Sequence, residues 1–470
     1  MEVKHMKRNM IKNVLSVAVA ASLAVGCIPM TAMAEESTDY EPVTITIGNW
    51  PKPDDPNYEY TEEVKEQFMK DYPYITVETD DSVYDVNTFL PKAASGQLPD
   101  LFHTYFTEAD KIINAGYAQD ITEAFNNSEF ADSCNAALVE QVTRDGKIYG
   151  IPMTGYSIGF LCNVNLFEEA GLIDEEGLPL LPTTWDEVAE YASIIKEKTG
   201  KAGFAYIDTE NQGGWLFSNL AWAFGAELET QVDGKWTATF DSAEAVSALQ
   251  YLKDLKWKYN VMPDNSIISR NDWITLYGTD QAAMGLAAID FCNNIVNTTG
   301  MSKDDMAMTT VPAGPAGKVS LMGGAIFMMP NGTSPEQQDA IIKWLLYGTL
   351  SPRVDDETME VFENQTKSDA EAGYPVGPYG LSVWSESCER TEKEQEIRDE
   401  YNNVDMRLWD SYCQHSSENL KTEPPVNAQE LYAALDGVIQ EVLTNENADC
   451  QELLTTAAKN FQKDYLDNAN

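Results

Sequence analysis

The sequence predicts an α/β protein divided into two domains, and three observations carry that reading. The chain has 470 residues, more than one ordinary core holds, so two domains are the natural division. Apolar residues make up 43% and include ten tryptophans, enough for packed interiors and too many for a disordered chain. Short strand-like segments alternate with capped helical ones, with no internal repeat at a fixed period.

The first forty residues read as an export segment. Lys4, Lys7, Arg8 and Lys12 form a basic stretch, and Val14 to Val25 an apolar one too short to span a bilayer comfortably. Two processing sites follow. Leu23 to Cys27 (LAVGC) resembles a lipoprotein box, with its branched residue one place further from the cysteine than usual; Ala32-Met-Ala34 suits ordinary cleavage. Residues 1–34 are therefore a removed signal, or 1–26 if Cys27 is lipidated, with 35–42 as a polar tether. No later stretch offers eighteen uninterrupted apolar residues.

The body opens as a βαβ unit. Val43 to Ile47 alternates apolar and polar, Thr61 to Lys70 places Val64 and Phe68 on one helical face, and Tyr74 to Val77 returns as a strand. Pro99 to Phe102 enters another strand. Asp145-Gly146 is a turn into an extended segment closed by Pro152. A polar link through Tyr156 then leads to an apolar run, Ile158 to Cys162, short enough for a buried strand. Leu166 to Ala170 forms a brief helix stopped by Gly171. Capping boxes start helices at Thr184 with Glu187, Asp241 with Glu244, Ser334 with Gln337, and Asn427 with Glu430. Leu350 to Thr422, rich in acids and turn residues, reads as loops and short helices.

Composition excludes several functions. The formal charge of −45, from 31 basic and 76 acidic side chains, repels nucleic-acid phosphates and anionic lipid headgroups. It leaves solubility or a cationic ligand as its meaning. Besides Cys27 there are six widely spaced cysteines with no CxxC pair and no histidine cluster, so no metal is expected. Pairing in an oxidising compartment and buried free thiols both remain open. Three histidines and no GxSxG elbow leave little for nucleophilic catalysis.

Several segments in order resemble the extracellular solute-binding proteins of ABC importers, in the group that includes maltodextrin- and other sugar-binding members. They are Ser95 to Phe102 (SGQLPDLF), Asp145 to Pro152 (DGKIYGIP), Asn163 to Phe167 with Gly171, Thr183 to Glu187 (TTWDE), Ala282 to Met284, and Val311 to Pro315, followed by Gly323-Gly324. The resemblance runs from about Val43 to the C-terminus and is weakest between Leu350 and Thr422. It implies a two-lobe, type II periplasmic-binding-protein-like fold with the ligand cleft between the lobes. The first lobe would comprise 43–152 plus 325–380, and the second 153–324 plus 381–470. It further implies a monomer that closes on a sugar by hinge motion and delivers it to ABC permease transmembrane subunits, with no enzyme activity and no cofactor.

The same resemblance places ligand contacts at Asn49, Trp50, Tyr105, Glu108, Tyr156, Trp215, Asp290, Gly323, Gly324 and Trp384. Aromatic side chains suit the C–H face of a sugar, acids and amides its hydroxyl rim, and glycines let backbone approach. Each has a plainer reading. Trp215 adjoins Leu216, Phe217, Leu220 and Trp222 in an apolar helix, Trp50 and Trp384 suit a core, and Glu108 suits a solvated helix start. Asp290 stands where many sugar binders carry tryptophan, which leaves room for a smaller or more polar sugar, an amino sugar or a polyamine. A sensor ectodomain is the second functional class. A secreted glycoside hydrolase is the third, with Asp290 and Glu108 as its carboxylates in no recognisable catalytic motif.

Overall fold

The computed structural model describes residues 41–55, 58–85 and 88–467. The export segment, Cys27 and both processing sites lie outside them. The described residues from Pro42 onward form one compact unit.

The βαβ opening is present. Strands Val43–Ile47 and Ile75–Thr79 pair in parallel around helix Tyr58–Asp71. That helix buries only Phe68, whose ring meets Trp344 at 5.3 Å and Tyr347 at 5.2 Å between centroids, both edge-on. Strand Phe102–Tyr105 pairs antiparallel with Ala325–Met328, which pairs antiparallel with Ile151–Pro152. Asp145 and Gly146 both take positive φ (52° and 75°) in the tight turn between Thr143–Arg144 and Lys147–Ile148.

A second layer forms around strand Gly159–Asn163, all five residues buried, between antiparallel neighbours Met284–Ala287 and Met306–Thr310. Its core gathers Phe160, Trp185, Phe204, Trp273, Trp409 and Tyr432. Trp50, Phe68 and Trp344 belong to a separate core around the βαβ unit.

Between the layers, Ser320–Gly323 pairs antiparallel with Tyr156–Ser157 and parallel with Leu420–Thr422. One residue, Gly324, separates Ser320–Gly323 from Ala325–Met328 in the neighbouring sheet. Its φ of +144° and a would-be Cβ only 2.1 Å from the Thr154 carbonyl oxygen restrict the position to glycine. The first crossing is tied there too, because Met153 N–H donates to the Ala325 carbonyl at 2.9 Å. In the packing, Trp384 and Cys388 join the core of Trp50 and Trp344, although the sequence division at 380 gives them to the second lobe.

Two capping boxes stand where the sequence puts them, at Thr184/Glu187 and Ser334/Gln337. Thr184→Ala should lower unfolding stability by about 1 kcal/mol in urea titration; an unchanged midpoint would count against the cap. Two boxes do not form. Ser242, next to Asp241, caps helix Ala243–Trp257 by accepting from Ala245 N–H. Asn427 takes φ +52° and makes no side-chain capping hydrogen bond to helix Ala428–Thr444.

The 350–422 region also departs from expectation, with helices of 16 and 12 residues at Asp356–Glu371 and Glu389–Glu400. The second lacks an apolar stripe, and its one buried residue is Glu394. Arg390 and Arg398, four residues to either side, hold that carboxylate at 2.7 and 3.2 Å. The six described cysteines are buried free thiols. Among the described residues no helix is long and apolar enough to cross a membrane, and no group of His, Cys, Asp and Glu is placed to hold a metal ion.

Candidate ligand-binding site

Helix Gln212–Ala223 begins without a side-chain cap of its own. Asp436, from helix Ala428–Thr444, supplies one: its carboxylate accepts from Asn211 N–H and Gly214 N–H, both at 2.7 Å. The helices meet this closely because position 214 has no side chain. A Cβ there would lie 2.5 Å from both the Cα and the carbonyl oxygen of Tyr432.

The next residue, Trp215, is half-buried at the mouth of a cavity of about 380 Å³. Its indole N–H donates to Glu423 Oε1 at 2.9 Å, and its ring meets Tyr156 edge-on at 6.2 Å. Tyr156 comes from the first crossing strand, and Glu423 follows the strand Leu420–Thr422. Arg270 and Asp290 complete the wall with an ion pair of 2.8 Å, the guanidinium lying 4.2 Å from the Phe291 ring centre.

Glu423 is 8% exposed. Burial pushes the Glu423 carboxyl up to about 7, the Trp215 indole N–H and the Tyr432 hydroxyl work against that shift, and the charge of Glu108 adds to it. Behind the pocket, burial also raises Asp208 to about 7 and Glu229 to about 8, and raises Asp436. A second cavity of about 1050 Å³ shares Tyr156 and Asp290 with the first. Helices Asp356–Glu371 and Glu389–Glu400 supply part of its lining through Thr366, Asp369, Gln395 and Arg398.

The sequence profile of the family described as bacterial extracellular solute-binding protein matches residues 50–348. The chain belongs to this family. A putative binding protein of Brucella abortus is 24% identical over 314 residues, covering 66% of this chain and 73% of the relative. A multiple sugar-binding protein of Streptococcus mutans is 31% identical over 155 residues, 32% of this chain and 33% of the relative. The crystal structure of a cyclic alpha-maltosyl-1,6-maltose binding protein from Arthrobacter globiformis superposes with a TM-score of 0.63 at 20% identity, covering 89% and 97% of the two chains. The fold of this solute-binding protein is thus the two-lobe α/β type II fold.

Of the residues expected at the ligand, the solute-binding protein brings Tyr156, Trp215 and Asp290 together in the smaller cavity. Trp384 is 6% exposed, lies under the Arg390 guanidinium at 5.7 Å and contributes to the lining of the larger cavity.

Others go elsewhere. Trp50 is a core residue, its ring 5.8 Å from Trp344 and its indole N–H donating to Glu62 at 2.9 Å. Asn49 is exposed in a left-handed turn (φ +56°). Tyr105 is 50% exposed and leans on Tyr84 and His103. Glu108 is buried, receives the Tyr84 hydroxyl and faces Lys111 at 3.6 Å. None of these four lines either cavity. Gly323 and Gly324 were expected to admit ligand, but a Cβ at 323 would lie 2.3 Å from the Tyr156 hydroxyl. The space is filled by Tyr156, and at 324 by the Thr154 carbonyl.

Sequence reasoning missed Arg270, Glu423, Tyr432 and Asp436. Ser269 and Asp272 form a capping box that was readable and would have placed Arg270 at a helix start. Glu423 carries no local signal, since its partner Trp215 lies 208 residues away.

Proposed function

We propose that this protein captures a carbohydrate in the smaller cavity and hands it, after lobe closure, to an ABC permease. The carrying observation is the joint placement of Trp215 and Tyr156 with Asp290, Arg270 and Glu423 where the chain crosses between sheets. Aromatic faces cover a sugar ring, and charged groups bind its hydroxyls more strongly than neutral ones do. A volume of 380 Å³ suits a ring or two, and the larger cavity gives a longer ligand room to continue. Only the closed form touches ligand from both sides, so ligand drives closure. The sugar-binding relative from Streptococcus mutans agrees with this reading.

The role is binding without bond chemistry. Glu108 lines neither cavity and Asp290 is held by Arg270, so these two carboxylates are not brought together as a hydrolase pair. We place the protein outside the cytoplasm as a monomer, either anchored through Cys27 or released after Ala34. Mass spectrometry of the mature N-terminus distinguishes the two.

The test is calorimetry and thermal shift with mono- and oligosaccharides, amino sugars, polyamines and short peptides. A saturating sugar should raise the melting temperature, a hundredfold excess over Kd contributing about 2.7 kcal/mol. Trp215→Ala should weaken binding by about 2 kcal/mol, roughly thirtyfold, with the circular dichroism spectrum unchanged. Stabilisation by peptides or polyamines alone, or full affinity in both Trp215→Ala and Tyr156→Ala, would overturn the assignment.

A further inference from the structure

The smaller cavity has an imbalance of charge that a neutral sugar leaves uncorrected. Three carboxylates line it: Glu210 at the exposed rim, Asp290, and Glu423. One guanidinium, Arg270, stands against them and is already paired with Asp290 at 2.8 Å. Among the described residues no lysine or arginine is ion-paired with Glu423. The nearby Lys421 is engaged by Glu227, with its ammonium 4.9 Å from the Trp222 ring centre. Glu423, more than nine-tenths buried, lines the cavity with only neutral donors beside its carboxylate, the Trp215 indole N–H and the Tyr432 hydroxyl. Three aromatic rings, Trp215, Tyr156 and Tyr432, line the cavity with it, and aromatic faces attract cations.

We propose that the smaller cavity is a subsite for a protonated amine carried on a hydroxylated ring, an amino sugar, with Glu423 as the residue that selects the amine. The inference rests on the carbohydrate reading of the pocket. An ammonium supplies what the site lacks, a positive charge facing Glu423. A hydroxyl in its place supplies one donor and no charge. An N-acetyl group also removes the charge and adds bulk beside Trp215.

Pairing with a cation favours the ionised form of Glu423, so binding expels a proton wherever the free carboxyl is protonated. The titratable and charged groups around Glu423 are Tyr156, Tyr432 and Glu108, with Glu210, Arg270 and Asp290 in the same cavity and Glu229 beyond Tyr432. The tyrosines are held neutral by burial, which leaves Glu423 as the proton donor near pH 6.

The experiment is calorimetry on the full chain with glucosamine, galactosamine and their β-1,4-linked dimers, each beside its N-acetyl and parent neutral counterpart. The amine forms are expected to bind at least tenfold more tightly. At pH 6, titration in two buffers of different ionisation enthalpy should show release of close to one proton per amine bound. Glu423→Gln keeps an oxygen for the Trp215 indole and should lower affinity for the amine forms at least tenfold more than affinity for their neutral counterparts. Equal or tighter binding of neutral counterparts, or equal losses for both classes in Glu423→Gln, overturns the amine subsite and leaves the carbohydrate reading standing. If no sugar of either kind binds, the carbohydrate reading itself fails.

Discussion

Gly214→Ala is expected to destabilise the protein by about 2 kcal/mol or more, although alanine is the better helix former by about 1 kcal/mol. The two effects oppose each other, and the contacts decide between them. The added methyl would sit 2.5 Å from the Cα and carbonyl oxygen of Tyr432. Both are backbone atoms, so the helices Gln212–Ala223 and Ala428–Thr444 must move apart. That movement draws the Asp436 carboxylate off its two N–H donors and shifts Trp215 relative to Glu423. Gly437, on the exposed side of the second helix with open space around its Cβ position, provides the contrast. Gly437→Ala should raise stability by up to about 1 kcal/mol. Urea titration of the two variants would sink the argument if they moved the midpoint in the same direction.

The second large effect is a fall in stability as pH rises from about 5 to 8.5. Asp208 and Glu423 are raised to about 7, Glu229 to about 8, and Asp436 is raised as well. In the unfolded chain these groups ionise near 4, so over this window the native state binds more protons. Stability is then fully present below the unfolded values and is lost as pH climbs through the folded ones. Glu229 alone accounts for a few kcal/mol, at about 1.4 kcal/mol for each unit of difference. Carboxyls pulled down by hydrogen bonds, such as Asp120 and Glu187, act in the opposite sense but only at lower pH. His103, held neutral by burial, opposes the trend below about pH 6.5 as one group against four. Melting temperatures measured at constant ionic strength should therefore decline across the window. Glu229→Gln retains an acceptor for Val426 N–H and should flatten the decline between pH 6 and 8. A melting temperature that climbs steadily to pH 8, or a variant with an unchanged slope, would refute the account.

What the sequence revealed follows the range of the forces involved. Thr184 with Glu187 and Ser334 with Gln337 act across one helical turn, and both helices start where those residues stand. The run Ile158–Cys162 reads as buried because both faces of the strand Gly159–Asn163 are covered. Helix Glu389–Glu400 could not be read from periodicity, because a charged pair of arginines around Glu394 replaces its apolar face. The site shows the same division. Tyr156, Trp215 and Asp290, expected at the ligand from ordered segments resembling a family, line one cavity. The burial of Trp50 was not readable locally, because Trp344, nearly three hundred residues downstream, is what packs on it. Glu423 and Asp436 owe their roles wholly to chain brought in from elsewhere.

The buried thiols have a practical use. All six described cysteines are shielded, and burial pushes those of Cys162 and Cys292 far above the range in which a thiolate reacts. A cysteine introduced on the surface of each lobe would thus take up maleimide dyes ahead of these six. A donor–acceptor dye pair attached in this way would turn the molecule into an optical gauge of its own closure, readable ligand by ligand without first stripping the chain of sulfur.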